Sequence, residues 1–496
     1  MKGTPRPRTV LFLISDTGAG HRSAANAIHA AMRIVEEQAP HTAASGAEHD
    51  PHWRAVIVDG FAECANFPLR KGVFLYGPAI KHSPRLYSRL FHMTNTASRF
   101  HTAYRISKPF LRQGITQLLQ RVRPDVIVSV HPLLNHITLQ AMRDIGVRVP
   151  FITVITDLVS IHTAWVAPGV TVCVTPTEAA RNYAIAAGVP PKRAPLLGMP
   201  IDPSFAEQPT NTLAERKAAL GLDPTLPTIL LVGGGEGAGG LSRAAYTLGR
   251  LQAKAQLVIV TGRNHALYLQ LQQERAGFRL PTTVLGFVNN MPELMRAADV
   301  VATKAGPGSI SEVMACGLPV ILTGYIPGQE EGNVDYTLTN RLGLFADSPE
   351  KLTAAVRLLL DPTSPTSEEM QANVRRLSHP RASFDIARLI LSYVPAVGAK
   401  SAWASVPRAQ RARVSRAISR RRHSTQSAAR QKIRRPAGTV RRLPPLTLAF
   451  PQIRRNHAHP RRGLGLPTLD SARALLRRGA PLGLTPPRRP RIDPWR

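Results

Sequence analysis

The chain has 496 residues, 43% of them apolar, too many for one ordinary domain and apolar enough for more than one core. Its three cysteines, Cys64, Cys173 and Cys316, show no CxxC spacing, which argues against a disulfide framework or zinc site and fits a reducing compartment. The formal net charge of +33 is uneven: residues 401–496 hold 24 of the 64 Lys and Arg but only Asp470 and Asp493 among 31 acids, leaving +11 for residues 1–400.

Near the N-terminus, VLFLIS is too short for a signal-peptide core, and Asp16 follows it at once. No run of about 18 apolar residues occurs anywhere, so any membrane role is expected to be peripheral. Residues 9–15 read as a buried strand, 16–20 (DTGAG) as a glycine turn and 21–37 as a helix with Ala24, Ile28, Ala31 and Val35 on one face. Strand, glycine turn, helix is how a doubly wound α/β domain begins. A second strand covers 54–58 and ends at Asp59.

Between Glu63 and Asp125 there is no acid, yet there are eleven cations, interleaved with Phe67, Phe74, Tyr76, Tyr87, Phe91, Phe100, Tyr104 and Phe110. Arginines beside aromatic rings suit an anionic lipid surface. A helical hairpin with a solvated basic face is the plainer alternative, and nucleic acid is unlikely because no recognition motif accompanies the charge. Alternation resumes with strands at 125–130, 150–156 and 171–174 and helices from about Leu133 and over 178–187. Residues 194–203, with three prolines, read as a linker. Further strands follow at 228–232, 256–261, 283–288, 300–303 and 319–323, and a helical pattern over 375–393 closes the globular part. From 397 to 496 the chain is rich in Arg, Pro and Ala without periodicity and is expected to be a disordered basic tail.

Chemistry concentrates in two places. The stretch 301–336, VATKAGPGSISEVMACGLPVILTGYIPGQEEGNVDY, reads strand, glycine turn, helix, strand, polar loop. Gly306-Pro307-Gly308 allows close backbone approach, and Ser309 at a helix start offers a hydroxyl and N–H groups to phosphate. Glu312 can accept both hydrogen bonds of a ribose diol, and Gln329, Glu330 and Glu331 can accept from sugar hydroxyls. The competing reading is a capping box, with Glu312 three residues after Ser309. The second place is Gly18–Arg22, where His21 opens a helix whose N-terminus is expected to lower its pKa and keep it neutral and basic. His131, His136 and His162 are equal candidates on the residues alone.

The motifs DTGAGHRSAANAI, SVHPLLNH, TDLVSIHTAW, GGGEGAGG and the 301–336 stretch, in this order, are similar to the monogalactosyldiacylglycerol synthase and processive diacylglycerol glucosyltransferase family, itself similar to the peptidoglycan lipid-linked glucosaminyltransferases. The similarity covers roughly residues 9–395. It implies a GT-B architecture, two Rossmann-like α/β domains facing across a cleft: 1–197 for the lipid acceptor, with 64–124 associating with the membrane, and 198–396 for the nucleotide sugar. It implies His21 as general base, in a motif reading GAGHR with Ala19 where the family has glycine. Gly234 and Gly235 fall on the glycine turn opening the donor domain, Gly306, Gly308 and Ser309 on the diphosphate, Glu312 on the ribose, and Gln329 and Glu330 on the donor sugar. The implied reaction moves a hexose from UDP-galactose or UDP-glucose to the sn-3 hydroxyl of 1,2-diacylglycerol with inversion, needing no cofactor; no DxD motif suggests a metal. Partners are then the UDP-hexose, the diacylglycerol and an anionic lipid surface, with the protein peripheral on the cytoplasmic face of a membrane. A UDP-sugar epimerase shares the fold and is the main alternative, though it needs no membrane segment.

Overall fold

The computed structural model describes residues 7–16, 20–38, 52–67, 69–72, 89, 93, 95–233, 240–396 and 398–404. The first sheet holds β1 (Arg8–Ile14), β2 (Trp53–Asp59), β3 (Val126–Ser129), β4 (Phe151–Val154) and β5 (Val172–Val174), all parallel, in the order β2-β1-β3-β4-β5. Its helices include α1 (Gly20–Glu37), α2 (Gly60–Cys64), α3 (Ala97–Val122), α4 (Pro132–Ile145) and α5 (Glu178–Ala186). The strands read as unbroken apolar runs because helices cover both faces. Leu11 and Leu13 point into one core with Ile115, Leu119 and Leu134, while Val10, Phe12 and Ile14 point into another with Ile28 and Met32.

The second sheet holds β6 (Thr228–Val232), β7 (Gln256–Val260), β8 (Thr282–Leu285), β9 (Val300–Lys304), β10 (Val320–Gly324) and β11 (Gly343–Phe345), again all parallel, in the order β11-β10-β9-β6-β7-β8. The helices that matter here are α6 (Leu241–Gly249), α7 (Pro307–Ala315), α8 (Glu331–Thr339), α9 (Pro365–Leu377) and α10 (Ala382–Ser392). In each sheet the strand order reverses direction at one point: between β1 and β3, and between β6 and β9. Open α/β sheets bind ligands in the crevice outside the carboxyl ends of the strands at such a point. Each sheet with its helices is one of the two Rossmann-like domains of a GT-B protein.

Several expectations need correction. The helical pattern over 375–393 is two helices, α9 and α10, because Pro380 disfavours helical backbone at the residue before it and Ser378 is already extended at φ −72°, ψ 141°. Helix α10, assigned by sequence to the second domain, packs on the first: Phe384, Ile386, Ala387 and Ile390 share a core with Ile28, Met32 and Phe12. The residues expected as a linker are pinned, with Met199 and Ile201 buried in the second domain's core. Gly198 sits there at φ 92°, and a Cβ on it would lie 2.3 Å from His379 Cβ.

The tail does not begin at 397. Residues 398–404 lie on the first domain, where Arg8 Nη2 donates to the carbonyls of Ala396 (2.8 Å) and Ala399 (2.6 Å). Trp403 is buried among Leu118, Val122 and their neighbours and donates its indole N–H to the Pro124 carbonyl at 2.8 Å. A large ring with one N–H is stable inside once that donor is satisfied. The expected disorder of the remainder, from Ser405, lies outside the described residues.

Segment 64–124 is divided. Helix α3 buries Leu111, Ile115, Leu118, Leu119 and Val122. Phe100 also turns inward, its ring 4.9 Å from His136 and 6.0 Å from His162, so it is core rather than membrane anchor. Phe67 (72%), Ile106 (66%) and Met93 (54%) are exposed. Phe74, Tyr76, Tyr87 and Phe91 lie outside the described residues. Among the described residues no helix is long and apolar enough to cross a membrane.

Candidate active site

The donor half sits at the switch point of the second sheet. Strand β9 ends at Lys304, and two residues later Gly306 is the N-cap of α7, with Pro307 in the first turn and no side-chain cap. Gly306 N donates back to the Lys304 carbonyl (2.7 Å) and Ile310 N to the Gly306 carbonyl (3.0 Å). Proline has no N–H, so Gly308 and Ser309 carry the N–H groups of this helix start that no side chain satisfies. Ser309 is the third helical residue, which removes the capping-box reading of Ser309 and Glu312. Open N–H groups at the positive end of a helix are a ready anion site.

One turn further, burial pushes the Glu312 carboxyl up to about 7, with the charge of Asp202 adding to the effect. No cation or hydrogen-bond donor within the described residues meets it. Glu330 is 3% exposed; Lys304 Nζ donates to its Oε1, and Ile326 N to its Oε2 at 2.9 Å. Gln329 beside it is half-buried. Asn333, in α8, holds the turn from behind by donating to the Ala305 carbonyl at 2.9 Å. A Cβ on Gly306 would lie 3.2 Å from Lys304 Nζ, whereas one on Gly308 would meet nothing within 4 Å. Gly234 and Gly235 lie outside the described residues. Helix α6 follows them in the chain, and its cap Gly240 sits at φ 77° without a side-chain cap.

The acceptor half sits at the switch point of the first sheet. His21 is the second residue of α1. Its Nδ1 lies 3.2 Å from Thr156 Oγ1, and its ring is 4.7 Å from that of His131 and 6.4 Å from that of Trp165. Its pKa is lowered to about 4, mainly by burial; a hydrogen bond to the Val130 carbonyl and the charge of Asp16 act the other way. Desolvation thus favours the neutral ring. Asp16, just past the end of the preceding strand, is held by Arg22, which grips it with two 2.7 Å bonds, and by Asp59, which accepts from Asp16 N at 2.8 Å.

The other histidines separate by burial. His131 is 5% exposed, its pKa driven well down by burial and by His21 and His162. His162 is 6% exposed, with Nδ1 accepting from Ala164 N at 3.1 Å and burial lowering its pKa to about 4. His136 lies behind Phe100, its Nε2 3.1 Å from the Val166 carbonyl. His21 and His136 are the partly exposed rings of the four, and of these two only His21 lies at the switch point.

The two halves meet. Gly332 N donates to Ser160 Oγ at 3.2 Å, joining the loop after β4 to the start of α8. Asp157, whose Oδ2 accepts from Trp165 Nε1 at 2.6 Å, has its pKa raised to about 6 by burial, with the Glu330 charge contributing across the cleft. Lys304, Trp165 and Asn333 were not singled out from sequence. The available signal for Lys304 was a cation at a strand end facing a later loop acid. Among the described residues no group of His, Cys, Asp or Glu is arranged to hold a metal ion.

Two doubly wound sheets with their switch points turned to one cleft make this a GT-B protein by architecture. Residues 21–201 match the profile of monogalactosyldiacylglycerol (MGDG) synthase and residues 228–338 that of the glycosyltransferase family 28 C-terminal domain. The chain is 36% identical over 390 residues to monogalactosyldiacylglycerol synthase 1, chloroplastic, of Arabidopsis thaliana, covering 77% of this chain and 70% of that one. It is 34% identical over 391 residues to the spinach enzyme, Spinacia oleracea, covering 77% and 71%. The chain belongs to the monogalactosyldiacylglycerol synthase family. Among solved structures it is similar to Acinetobacter baumannii MurG, at 14% identity and a TM-score of 0.49 over 78% of this chain and 100% of that one.

Proposed function

We propose that the protein transfers galactose from UDP-galactose to the sn-3 hydroxyl of 1,2-diacylglycerol, inverting the anomeric centre to give a β-monogalactosyl lipid. The observation that carries this reading is the contact between the two halves: Ser160 to Gly332, and Asp157 sensing Glu330, bring the acceptor-side loop against the donor-side loop. In this reading residues 1–197 take the acceptor and 198–396 the donor. The diphosphate sits on the N–H groups of Gly308 and Ser309 beside Gly306, the ribose diol on Glu312, the sugar on Gln329 and Glu330, and the nucleotide against Gly234 and Gly235.

His21 is the base. In the tautomer that donates Nδ1–H to Thr156 Oγ1, Nε2 keeps the lone pair. As the diacylglycerol oxygen bonds to the anomeric carbon, its proton becomes acidic and passes to that nitrogen. The bond to UDP breaks on the opposite face, and the leaving diphosphate is stabilised by the positive end of α7. The acceptor is a membrane lipid, and exposed Phe67, Met93 and Ile106, with the exposed cations Arg99 and Arg105 in the same segment, suit peripheral docking on an anionic, cytoplasm-facing surface. Incubation with diacylglycerol vesicles and either UDP-galactose or UDP-glucose, followed by NMR of the lipid product, tests the reading. A β-galactosyl lipid is expected; an α-linked product, or preference for UDP-glucose, would overturn the stereochemistry or the donor choice respectively.

A further inference from the structure

Lys304 has no place in the reaction so far. It lies at the carboxyl end of β9, two residues before the cap of α7, in a largely buried ion pair with Glu330. A buried ion pair contributes little net stability, because desolvating both charges offsets their attraction. An apolar pair of similar volume would hold β9 to the following loop as well, so stability alone does not explain the lysine. An ammonium has three donors; Glu330 takes one, leaving two. Its Nζ also lies over the turn, 3.2 Å from where a Gly306 Cβ would be. A side chain at 306, the cap of α7, would therefore crowd the ammonium.

We propose that Lys304 is a diphosphate-binding residue: its ammonium, held by Glu330, donates to a phosphate oxygen of the UDP moiety and neutralises charge as UDP departs. This rests on the donor-site reading above. The alternative is that Lys304 only neutralises Glu330 and thereby shapes the loop at 326–330.

UDP binding, measured by calorimetry in a two-by-two set of variants, separates the two. The set is wild type, Lys304→Met, Glu330→Gln and the double variant. Losing a charge-assisted hydrogen bond to phosphate should weaken UDP binding by about 10- to 100-fold. The proposal expects this loss in both the wild-type and the Glu330→Gln background. A loss that vanishes when Glu330 is already Gln would overturn it, since the lysine would then act only through its partner. Lys304→Met alone leaves a buried carboxylate unpaired, which destabilises the loop; the double variant leaves neither charge, so the comparison survives, and melting curves check that it folds. If wild type itself does not bind UDP, the donor-site reading fails instead. If wild type binds and the double variant binds as tightly as Glu330→Gln, the Lys304 proposal alone fails.

Discussion

Glu312 should make donor binding depend on pH. Its carboxyl is pushed up to about 7 from an ordinary 4.5 by burial, with Asp202 adding to it, and only the ionised form accepts both hydrogen bonds of a ribose diol. Apparent affinity scales with the fraction in the competent form. For a group titrating near 7, that fraction rises from about one-tenth at pH 6 to about nine-tenths at pH 8, so the Kd for UDP-galactose should tighten by about ten-fold over this interval. UDP-galactose suits the measurement because its diphosphate, esterified at both ends, does not itself titrate here. Calorimetric titrations at pH 6, 7 and 8 should show the slope in wild type and lose it in Glu312→Gln. A flat wild-type profile, or a slope kept by Glu312→Gln, would refute the assignment. The same shift has a stability consequence of opposite sense. The native state holds a proton that the unfolded chain has released between about 4.5 and 7. Glu312's contribution to stability is therefore full below 4.5 and lost as pH rises through about 7.

Three further outcomes follow. His21→Ala should lower kcat by about 10²- to 10⁴-fold while UDP-galactose still binds. Because burial lowers His21 to about 4, the acid limb of wild-type kcat at saturating UDP-galactose, where the bound donor already holds Glu312 ionised, should fall below pH 5 rather than near 6.5; a limb at 6.5 would contradict the burial argument. Trp403→Ala should destabilise the protein by about 3–5 kcal/mol through the emptied site and the orphaned Pro124 carbonyl, read by urea denaturation, whereas truncation after Ala404 should leave the melting temperature near wild type. The double substitution Phe67→Glu and Ile106→Glu should weaken sedimentation with anionic vesicles by about ten-fold or more and leave UDP-galactose binding in solution unaltered.

Much of the fold was legible because strands buried on both faces read as apolar runs: Val10–Ile14, Ile229–Val232 and Val300–Ala302 are fully or nearly fully buried and were visible as such. What escaped was either short or long-range. Strand β11 has three residues, Gly343–Phe345, too few for a pattern. The return of α10 to the first domain depends on which core accepts Phe384 and Ile390, which local periodicity does not encode. Trp403 stood alone at the head of an arginine-rich stretch, and its value lies in a carbonyl at Pro124. At the site, the glycine turn and the acids were readable from spacing, but the choice among four histidines was not. Burial sets aside two of them, with Phe61 packed on His131 and Phe100 on His162 from separate elements, and position sets aside His136. Lys304 and Glu330 are 26 residues apart, a separation no helix or strand period connects.

The most direct test is transfer itself. Radiolabelled UDP-galactose, supplied with the full chain and diacylglycerol vesicles to which it binds, should yield a labelled lipid that migrates as a monoglycosyl diacylglycerol, and His21→Ala should slow labelling by about a hundred-fold or more while retaining donor binding. Absence of lipid-linked label from both UDP-galactose and UDP-glucose, with the protein bound to the vesicles, would contradict the two-half site.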